Sequence, residues 1–201
     1  MLYYLLTAIE VICVYDRSML AEIIKALRSK GIDGVIIGST SYMLALGLRE
    51  FEDDLDIFVT SLSPTFDEDV IRSGAEELGC FVGQTEWGTP QLHCRIKGKD
   101  IVVELYENMY DFYIPEDMLN EAVTYRVNDV EIKALKVEDY MIIKAKTGRE
   151  RDIEDVRYLS DLVRSGKLKI NINIMRRRLR LFEDYEVRLI TKKLESVGIK
   201  L

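Results

Sequence analysis

Hydrophobic residues recur along the chain with two spacings, and each spacing predicts a different kind of element. Residues 16–30 place aliphatic side chains at intervals of three and four, which is typical of one face of a helix. Short apolar runs over 34–38 and 55–59 are typical of buried strands. The residues between them, 40–48, begin with hydroxyl side chains that can cap a helix. The pattern therefore predicts alternating helices and strands.

The second half of the chain changes from helical spacing to strict alternation and back. We predict a helix over 63–79 capped by Ser63, hairpins over 91–106 and 122–135, helices over 136–165 interrupted near Gly148, and one long helix over 174–197. The sequence thus predicts an α+β fold, in which a mixed sheet is flanked by helices and followed by a C-terminal helical part.

Length and charge indicate how the chain is organised. A chain of 201 residues with 48% hydrophobic composition can bury one sizeable core. We divide it into an α/β core over 1–136 and a helical region over 137–201. The net charge of −7 hides an asymmetry, because residues 164–201 carry eleven basic and four acidic groups, whereas residues 1–163 carry a balance of −14. We expect the two parts to face different partners.

Composition also indicates the environment of the chain. The cysteines Cys13, Cys80 and Cys94 lack a Cys-x-x-Cys pair, so they indicate neither a disulfide framework nor a zinc site and favour a reducing cytoplasm. Residues 1–15 carry Glu10 and are too short for a membrane span. We expect them to form a buried element or a dimer surface. The two glutamines and five asparagines, a small number, favour a heat-adapted source.

Two carboxylates stand in the apolar run that ends at residue 59. Side chains alternate along a strand, so Asp54, Asp56 and Phe58 share one face. Neighbouring carboxylates repel each other and raise each other's proton affinity unless a cation lies between them. Mg²⁺ prefers such hard oxygen ligands, so the pair predicts a magnesium site.

Gly38-Ser39 supplies a second chemical feature, at the junction of a predicted strand and a predicted helix. Backbone N–H groups at the start of a helix attract anions, and a serine hydroxyl adds a donor to phosphate. A phosphate site that faces a carboxylate-held metal suits phosphoryl or nucleotidyl transfer.

A third carboxylate is expected on a neighbouring strand, where it would complete the metal site. Glu104 interrupts an apolar strand and shares a face with Val102 and Tyr106. A buried and unpaired glutamate is costly, so Glu104 needs a cation or the site. Asp100 and Glu107 are weaker candidates.

These linked motifs resemble those of the nucleotidyltransferase superfamily of the DNA polymerase beta type. Gly38-Ser39 precedes Asp54 and Asp56 by about sixteen residues, and Glu104 follows on a later strand. A later helix is similar to one in abortive-infection toxin nucleotidyltransferases and their archaeal relatives. The matching residues are Lys144, Gly148, Arg149, Asp152 and Asp155, together with Arg49.

The resemblance implies a role for each matching position. Asp54, Asp56 and Glu104 would hold Mg²⁺ or Mn²⁺. Ser39 and Lys144 would hold the triphosphate. The other implied nucleotide-binding residues are Gly38, Arg49, Arg149 and Asp152, of which the last two would orient the site.

Several motifs also have a plainer interpretation. The acidic residues before the second strand could form a solvated turn, and Lys144 and Arg149 could pair with acidic neighbours on their own helix. His93 is more typical of a surface residue. Trp87 could stack on a nucleobase or pack against its own hairpin. The basic run over 175–180 could be a solvated face, an assembly surface or a contact for an acceptor nucleic acid.

We therefore predict a cytoplasmic, Mg²⁺-dependent nucleotidyltransferase that moves a nucleoside monophosphate from a nucleoside triphosphate to a hydroxyl acceptor. RNA bound by the basic C-terminal helix is one possible acceptor. Whether the chain forms a homodimer is left open by the sequence. The alternative is a non-catalytic nucleotide-binding or regulatory protein with the same fold. A third hypothesis is a toxin-like protein whose basic tail meets an antitoxin or tRNA. We expect no membrane association.

Overall fold

The computed structural model describes residues 14–109 and 112–201. The expectations for residues 1–13, a buried element or a dimer surface, lie outside these ranges, as does Cys13. Within the described part, no helix is both long enough and apolar enough to cross a membrane.

Strands and helices alternate in the first half of the described chain, and helices dominate after residue 136. The strands are β1 (Val14–Asp16), β2 (Gly34–Ile36), β3 (Glu50–Glu52), β4 (Leu55–Val59), β5 (Phe81–Gln84), β6 (Pro90–Ile96), β7 (Lys99–Tyr106), β8 (Val123–Val127) and β9 (Val130–Ala134). The helices are α1 (Arg17–Ser29), α2 (Ser39–Ala45), α3 (Glu68–Glu77), α4 (Glu116–Asn120), α5 (Val137–Thr147), α6 (Glu150–Arg164), α7 (Ile172–Leu179) and α8 (Asp184–Ser196).

A mixed sheet joins seven of these strands in the order β5, β6, β7, β4, β2, β9 and β8. The central strand β4 runs parallel to β7 and antiparallel to β2, which in turn runs parallel to β9. β1 and β3 form a separate antiparallel pair. The predicted α+β fold, a mixed sheet flanked by helices, is confirmed.

Two hydrophobic clusters cover opposite faces of the sheet. Alternate residues of β4 divide between them, because successive side chains of a strand point to opposite faces. Ile57 lies in the first cluster, with residues of α1 and α3. Phe58 lies in the second, with residues of α5, α6, α7 and α8. Asp56 therefore faces the same side of the sheet as Phe58 and the C-terminal helices.

The predicted hairpins and the break between the first two C-terminal helices are present. β6 pairs with β7 and β8 with β9, both antiparallel, and the second turn lies at Asn128-Asp129 as predicted. Gly148 ends α5 with a φ of 64°, a conformation that glycine adopts at little cost. The division of the chain at residue 136 stays a prediction.

The helix predicted from Ser63 begins five residues later, at Glu68. The Ser63 hydroxyl accepts from the Phe66 N–H at 3.1 Å, as a helix cap does, and also donates to the Glu107 carboxylate at 2.8 and 3.0 Å. The Ser63 N–H donates to the Asp67 carboxylate at 2.8 Å. Ser63 therefore stabilises a turn that precedes α3, and the helix begins only after this turn.

The long helix predicted over 174–197 is wrong, because the structure has two helices there. α7 ends at Leu179, and α8 begins after Glu183. A capping box begins α8: the Glu183 side chain accepts from the backbone N–H of Glu186, and the Glu186 side chain accepts from the backbone N–H of Glu183. Leu181 and Phe182 lie between the helices and pack against the second cluster. Burial of these two side chains accounts for the change of direction.

A disulfide joins Cys80 to Cys94, so the prediction of no disulfide is wrong. The residues lie 14 apart in sequence, and their Cα atoms are 4.3 Å apart. Cys80 directly precedes β5, and the antiparallel register in which Phe81 faces His93 continues to Cys80 opposite Cys94. The register of the β5–β6 hairpin therefore brings the two cysteines together.

Thiol counting tests this disulfide. The denatured, unreduced chain should expose one titratable thiol, and the reduced chain three, because two of the three cysteines are joined. Reduction should lower the free energy of unfolding by about 3 kcal/mol, the amount expected for a loop of roughly 15 residues. Thiol titration in guanidinium and denaturant unfolding measure the two effects. Cys13→Ser serves as the control, and three thiols without reductant would contradict the assignment.

Candidate active site

Strand register places Asp56 and Glu104 side by side. The two residues are direct partners in the parallel pair of β4 and β7, so their side chains lie on the same face of the sheet. Asp54 immediately precedes β4, and its charge interacts with those of both other carboxylates. The three acidic residues singled out in the sequence thus lie within electrostatic range of one another.

Gly38 lies directly against the Asp56 carboxylate. β2 ends just before this glycine, and the N–H of Ile37 donates to the Asp56 carbonyl at 3.0 Å. A Cβ at position 38 would overlap the Asp56 side chain. The φ of −82° at Gly38 is open to any residue, so the close approach to Asp56, and not the backbone conformation, requires glycine here.

The carboxylates carry negative charge that the protein compensates only in part. Burial, followed by the charges of Glu104 and Asp53, raises the pKa of Asp54 to about 6. Burial and the charge of Glu104 also raise the pKa of Asp56 well above its ordinary value, although Lys144 acts in the opposite direction. Such a group favours protonation or the arrival of a cation.

A cationic cluster from the helical region faces this acidic group. Lys144 Nζ lies 2.9 Å from Asp152 and 3.2 Å from Asp155. Arg149 bonds to Asp152 at 3.0 Å and to Glu86 at 2.7 Å. Burial opposes ionisation of Asp152, yet hydrogen bonds from Lys144 and Arg149 lower its pKa to about 2. Asp152 therefore stays ionised and holds both cations in place.

A cavity of about 100 Å³ lies between the sheet and these helices. Asp56, Lys144 and Arg149 supply charge to its wall, and aromatic rings supply an apolar surface. Trp87 and Phe112 have ring centroids 6.1 Å apart. The other lining residues are Ile37, Gly38, Glu86, Tyr106, Ile114, Ile143, Thr147 and Asp152. The wall of the cavity thus combines charged side chains with an aromatic surface.

A sequence profile of one protein family, described as nucleotidyl transferase of unknown function (DUF2204), matches residues 16–196. The chain belongs to this family of nucleotidyltransferases. The predicted membership of the nucleotidyltransferase superfamily is confirmed, and with it the predicted class of enzyme. A sequence comparison with curated proteins returns no match.

Solved nucleotidyltransferase structures resemble this one. The crystal structure of an antigenic nucleotidyltransferase-like protein from Paracoccidioides brasiliensis aligns with a TM-score of 0.55 at 14% identity, over 94% of this chain and 96% of that chain. The solution structure of the antibiotic-resistance factor ANT(2″)-Ia aligns with a TM-score of 0.44 at 15% identity, over 90% and 91%. The first similarity confirms a nucleotidyltransferase-like fold.

Two of the predicted nucleotide-binding residues of this nucleotidyltransferase do not line the cavity. The Ser39 hydroxyl donates to the Glu52 carbonyl at 3.3 Å, toward β3. Arg49 is exposed just before β3. The structure therefore brings Gly38, Lys144, Arg149 and Asp152 to the cavity wall, but neither of these two side chains.

The basic run of the C-terminal part is divided between the interior and the surface. Arg178 is 1% exposed and bonds to Asp139 at 2.8 Å and to Glu121 at 3.1 Å. Arg177 also pairs with Glu121, at 2.7 Å, whereas Arg176 is exposed. The interpretation of Arg178 as part of a nucleic-acid surface is therefore wrong, because its guanidinium is buried in an ion pair.

Sequence reasoning missed several side chains around the carboxylates. Gln91 and Tyr106 both donate to Glu104, and Glu86 pairs with Arg149. Alternation along β7 places Tyr106 on the same face as Glu104, and it is the sequence signal that could have identified this tyrosine as a donor. Trp87 contributes to the cavity wall and also contacts Phe112. Phe112 lies beyond the hairpin that contains Trp87, and stacking of Trp87 on a nucleobase stays a prediction.

A metal ion is implied by the family, and the donor set agrees with a hard divalent cation. Asp54, Asp56 and Glu104 offer only oxygen atoms, and raised carboxyl pKa values indicate a deficit of positive charge. Within residues 14–109 and 112–201, however, no three acidic, histidine or cysteine side chains already form a metal-binding arrangement.

The raised pKa of Asp54 predicts a pH-dependent stability. In the folded chain this carboxyl keeps its proton up to about pH 6, whereas its ordinary pKa is 3.8. The unfolded state therefore binds fewer protons in this window, and stability falls as pH rises through it. With EDTA present to remove divalent ions, we expect the free energy of unfolding to fall by about 1–2 kcal/mol across this pH window. The partial exposure of Asp54 makes this loss smaller than the full pKa shift would give.

Urea unfolding of the wild type and of Asp54→Asn at several pH values measures this effect. The variant should lack this part of the slope, because its amide does not titrate. Parallel stability profiles for the two proteins would contradict the assigned pKa of Asp54.

Replacing Gly38 with alanine tests the close approach to Asp56. We expect the free energy of unfolding to fall by about 1–3 kcal/mol, because the added methyl group displaces the carboxylate. Gly83→Ala is the matched control, since the nearest atom to its added Cβ is His93 Nε2, at an ordinary distance of 3.5 Å. Denaturant unfolding compares the two, and equal losses would show that the cost is not specific to Asp56.

Proposed function

We propose that this chain is an Mg²⁺- or Mn²⁺-dependent nucleotidyltransferase that moves a nucleoside monophosphate from a nucleoside triphosphate to a hydroxyl acceptor. The observation that carries the proposal is the shared position of Asp56. This residue belongs to the carboxylate group with Glu104, and it also lines the cavity that contains Lys144. A metal site and an anion site thus meet at one side chain.

Asp54, Asp56 and Glu104 are the proposed metal ligands. A bound divalent ion would neutralise phosphate charge and favour ionisation of an attacking hydroxyl. The three side chains would hold the ion beside the cavity, whose wall includes Asp56. Gly38 contributes by leaving room for the Asp56 carboxylate.

Lys144 and Arg149 are the proposed contacts for the triphosphate. Both are held by Asp152, so their side chains lose less conformational freedom when an anion binds. Trp87 and Phe112 would contact the nucleoside, because they form the aromatic part of the same cavity. Ser39 and Arg49 do not line the cavity, so their side chains would have to reorient to contact a bound triphosphate.

Glu104 is the proposed acceptor of the proton from the attacking hydroxyl. The hydroxyl oxygen would form a bond to the α-phosphorus while the bond to the leaving pyrophosphate breaks. The other product is the acceptor bearing a nucleoside monophosphate.

RNA is one acceptor that this proposal retains. Its support comes from α8, where Lys193 packs against Gly148 beside Arg149, at the edge of the cavity. Exposed basic residues in or next to α7 and α8 could contact RNA; they include Arg176, Arg180, Arg188 and Lys192. The cytoplasmic location, the homodimer, the toxin-like role and the heat-adapted source also stay predictions.

A nucleotide-binding protein without turnover is the second candidate. It would use the same cavity and the same cations, Lys144 and Arg149. The two candidates differ in one measurable respect, since both bind a triphosphate but only the first releases pyrophosphate.

Incubation with each labelled nucleoside triphosphate, Mg²⁺, and RNA, protein or small-molecule acceptors tests the proposal. We expect labelled acceptor and pyrophosphate with the wild type, and a loss of at least about 100-fold with Asp56→Asn, because a metal ligand is removed. Asp129→Asn, at the turn between β8 and β9, is the exposed control. Transfer by Asp56→Asn at the wild-type rate would overturn the mechanism.

Binding can be followed separately, because Trp87 is the single tryptophan of the chain and lines the cavity. Quenching of its fluorescence by a triphosphate, without pyrophosphate release on any acceptor, would favour the second candidate.

A further inference from the structure

Both oxygen atoms of the Glu104 carboxylate accept hydrogen bonds from neutral side chains. The Gln91 amide donates from Nε2 to Oε1 at 2.6 Å. The Tyr106 hydroxyl donates to Oε2. The strand pairing itself is formed by backbone groups and uses neither of these side-chain donors. The two bonds therefore act on Glu104 itself.

Strand register explains why these two residues reach Glu104. Gln91 on β6 is the direct partner of Glu104 on one side, and Asp56 on β4 is its direct partner on the other. Tyr106 lies two residues further along β7 and shares the face. Glu104 is thus flanked by an amide donor and by a carboxylate that repels it.

The Gln91 amide is itself oriented by a neighbour. His93 lies two residues along β6, and its Nε2 is 2.9 Å from Gln91 Oε1. With the amide oxygen facing the imidazole, the amide nitrogen faces Glu104. The chain from His93 through Gln91 to Glu104 runs along one face of the sheet.

Without such donors, the Glu104 side chain would be free to turn away from the site. Repulsion from Asp56 favours rotamers that point away from it, and a glutamate has three rotatable bonds with which to do so. Each carboxylate oxygen can accept more than one bond, so an oxygen that accepts from Gln91 or Tyr106 can still bind a cation. Donors of this kind commonly orient metal-binding carboxylates.

We propose that Gln91, oriented by His93, and Tyr106 are positioning residues that hold Glu104 beside Asp56 for divalent metal binding. The inference rests on the proposed function, because it assigns Glu104 to the metal site. It adds residues that neither the family nor the sequence motifs identify.

Gln91→Met is the principal test, since methionine keeps the length of the side chain and removes the donor. We expect Mn²⁺ to bind about 10-fold more weakly, measured by calorimetry in the presence of a non-hydrolysable triphosphate. In turnover, kcat should fall while KM for the triphosphate changes little, because Lys144 and Arg149 are untouched. Gln84→Met is the matched control, since Gln84 is the other glutamine of the chain and is exposed on β5.

Gln91→Asn and Tyr106→Phe extend the test. Gln91→Asn should bind Mn²⁺ as weakly as Gln91→Met does, because the shorter side chain of asparagine does not bring its amide to Glu104. Tyr106→Phe should also weaken Mn²⁺ binding, and thermal unfolding verifies that each variant is folded. An Mn²⁺ affinity that equals or exceeds that of Gln84→Met in both Gln91 variants would overturn the inference.

Asp56→Asn distinguishes this failure from failure of the proposed function. If Asp56→Asn loses Mn²⁺ binding and the Gln91 variants retain it, only the positioning role is wrong. If Asp56→Asn also retains Mn²⁺ binding, the metal site is wrong, and the positioning role is wrong with it.

Discussion

Repulsion between the neighbouring carboxylates of Asp56 and Glu104 is the constraint on which the rest of the site depends. The parallel pairing of β4 and β7 makes these residues direct partners, so the fold itself enforces the close approach. Burial intensifies the repulsion and raises the pKa of Asp56. The surrounding groups stabilise this negative charge. Lys144 favours ionisation of Asp56, and neutral donors bond to Glu104.

The helical region contributes the cations, and it does so through charge pairs of its own. Asp152 is buried at the start of α6 and binds both Lys144 and Arg149. Arg149 in turn reaches Glu86, in the loop between β5 and β6. Cations positioned in this way keep their charge near the cavity without neutralising the carboxylates directly. The site therefore needs the sheet and the helices together, although the sequence divides naturally between them.

A second buried charge pair has a structural role. Arg178 on α7 bonds to Asp139 on α5, and both side chains are almost completely excluded from solvent. Removing one partner of such a pair leaves an uncompensated buried charge, which is strongly destabilising. The pair therefore specifies how α7 packs on α5. It also shows why net charge along a segment is a poor guide to surface charge, since part of the basic tail is interior.

The sequence by itself determined the local features of this protein. Alternation along β4 and β7 put Asp56 and Glu104 on the faces where they lie, and turn residues defined the hairpins, because these properties depend on backbone geometry over a few residues. Tertiary structure alone decided which distant groups meet, such as Ser63 with Glu107 and Arg178 with Asp139. The pairs Cys80–Cys94 and Gln91–Glu104 lie across hairpins, where only the exact register makes the residues neighbours. Contacts of both kinds depend on the register of paired strands or on the packing of helices, and residue spacing alone determines neither.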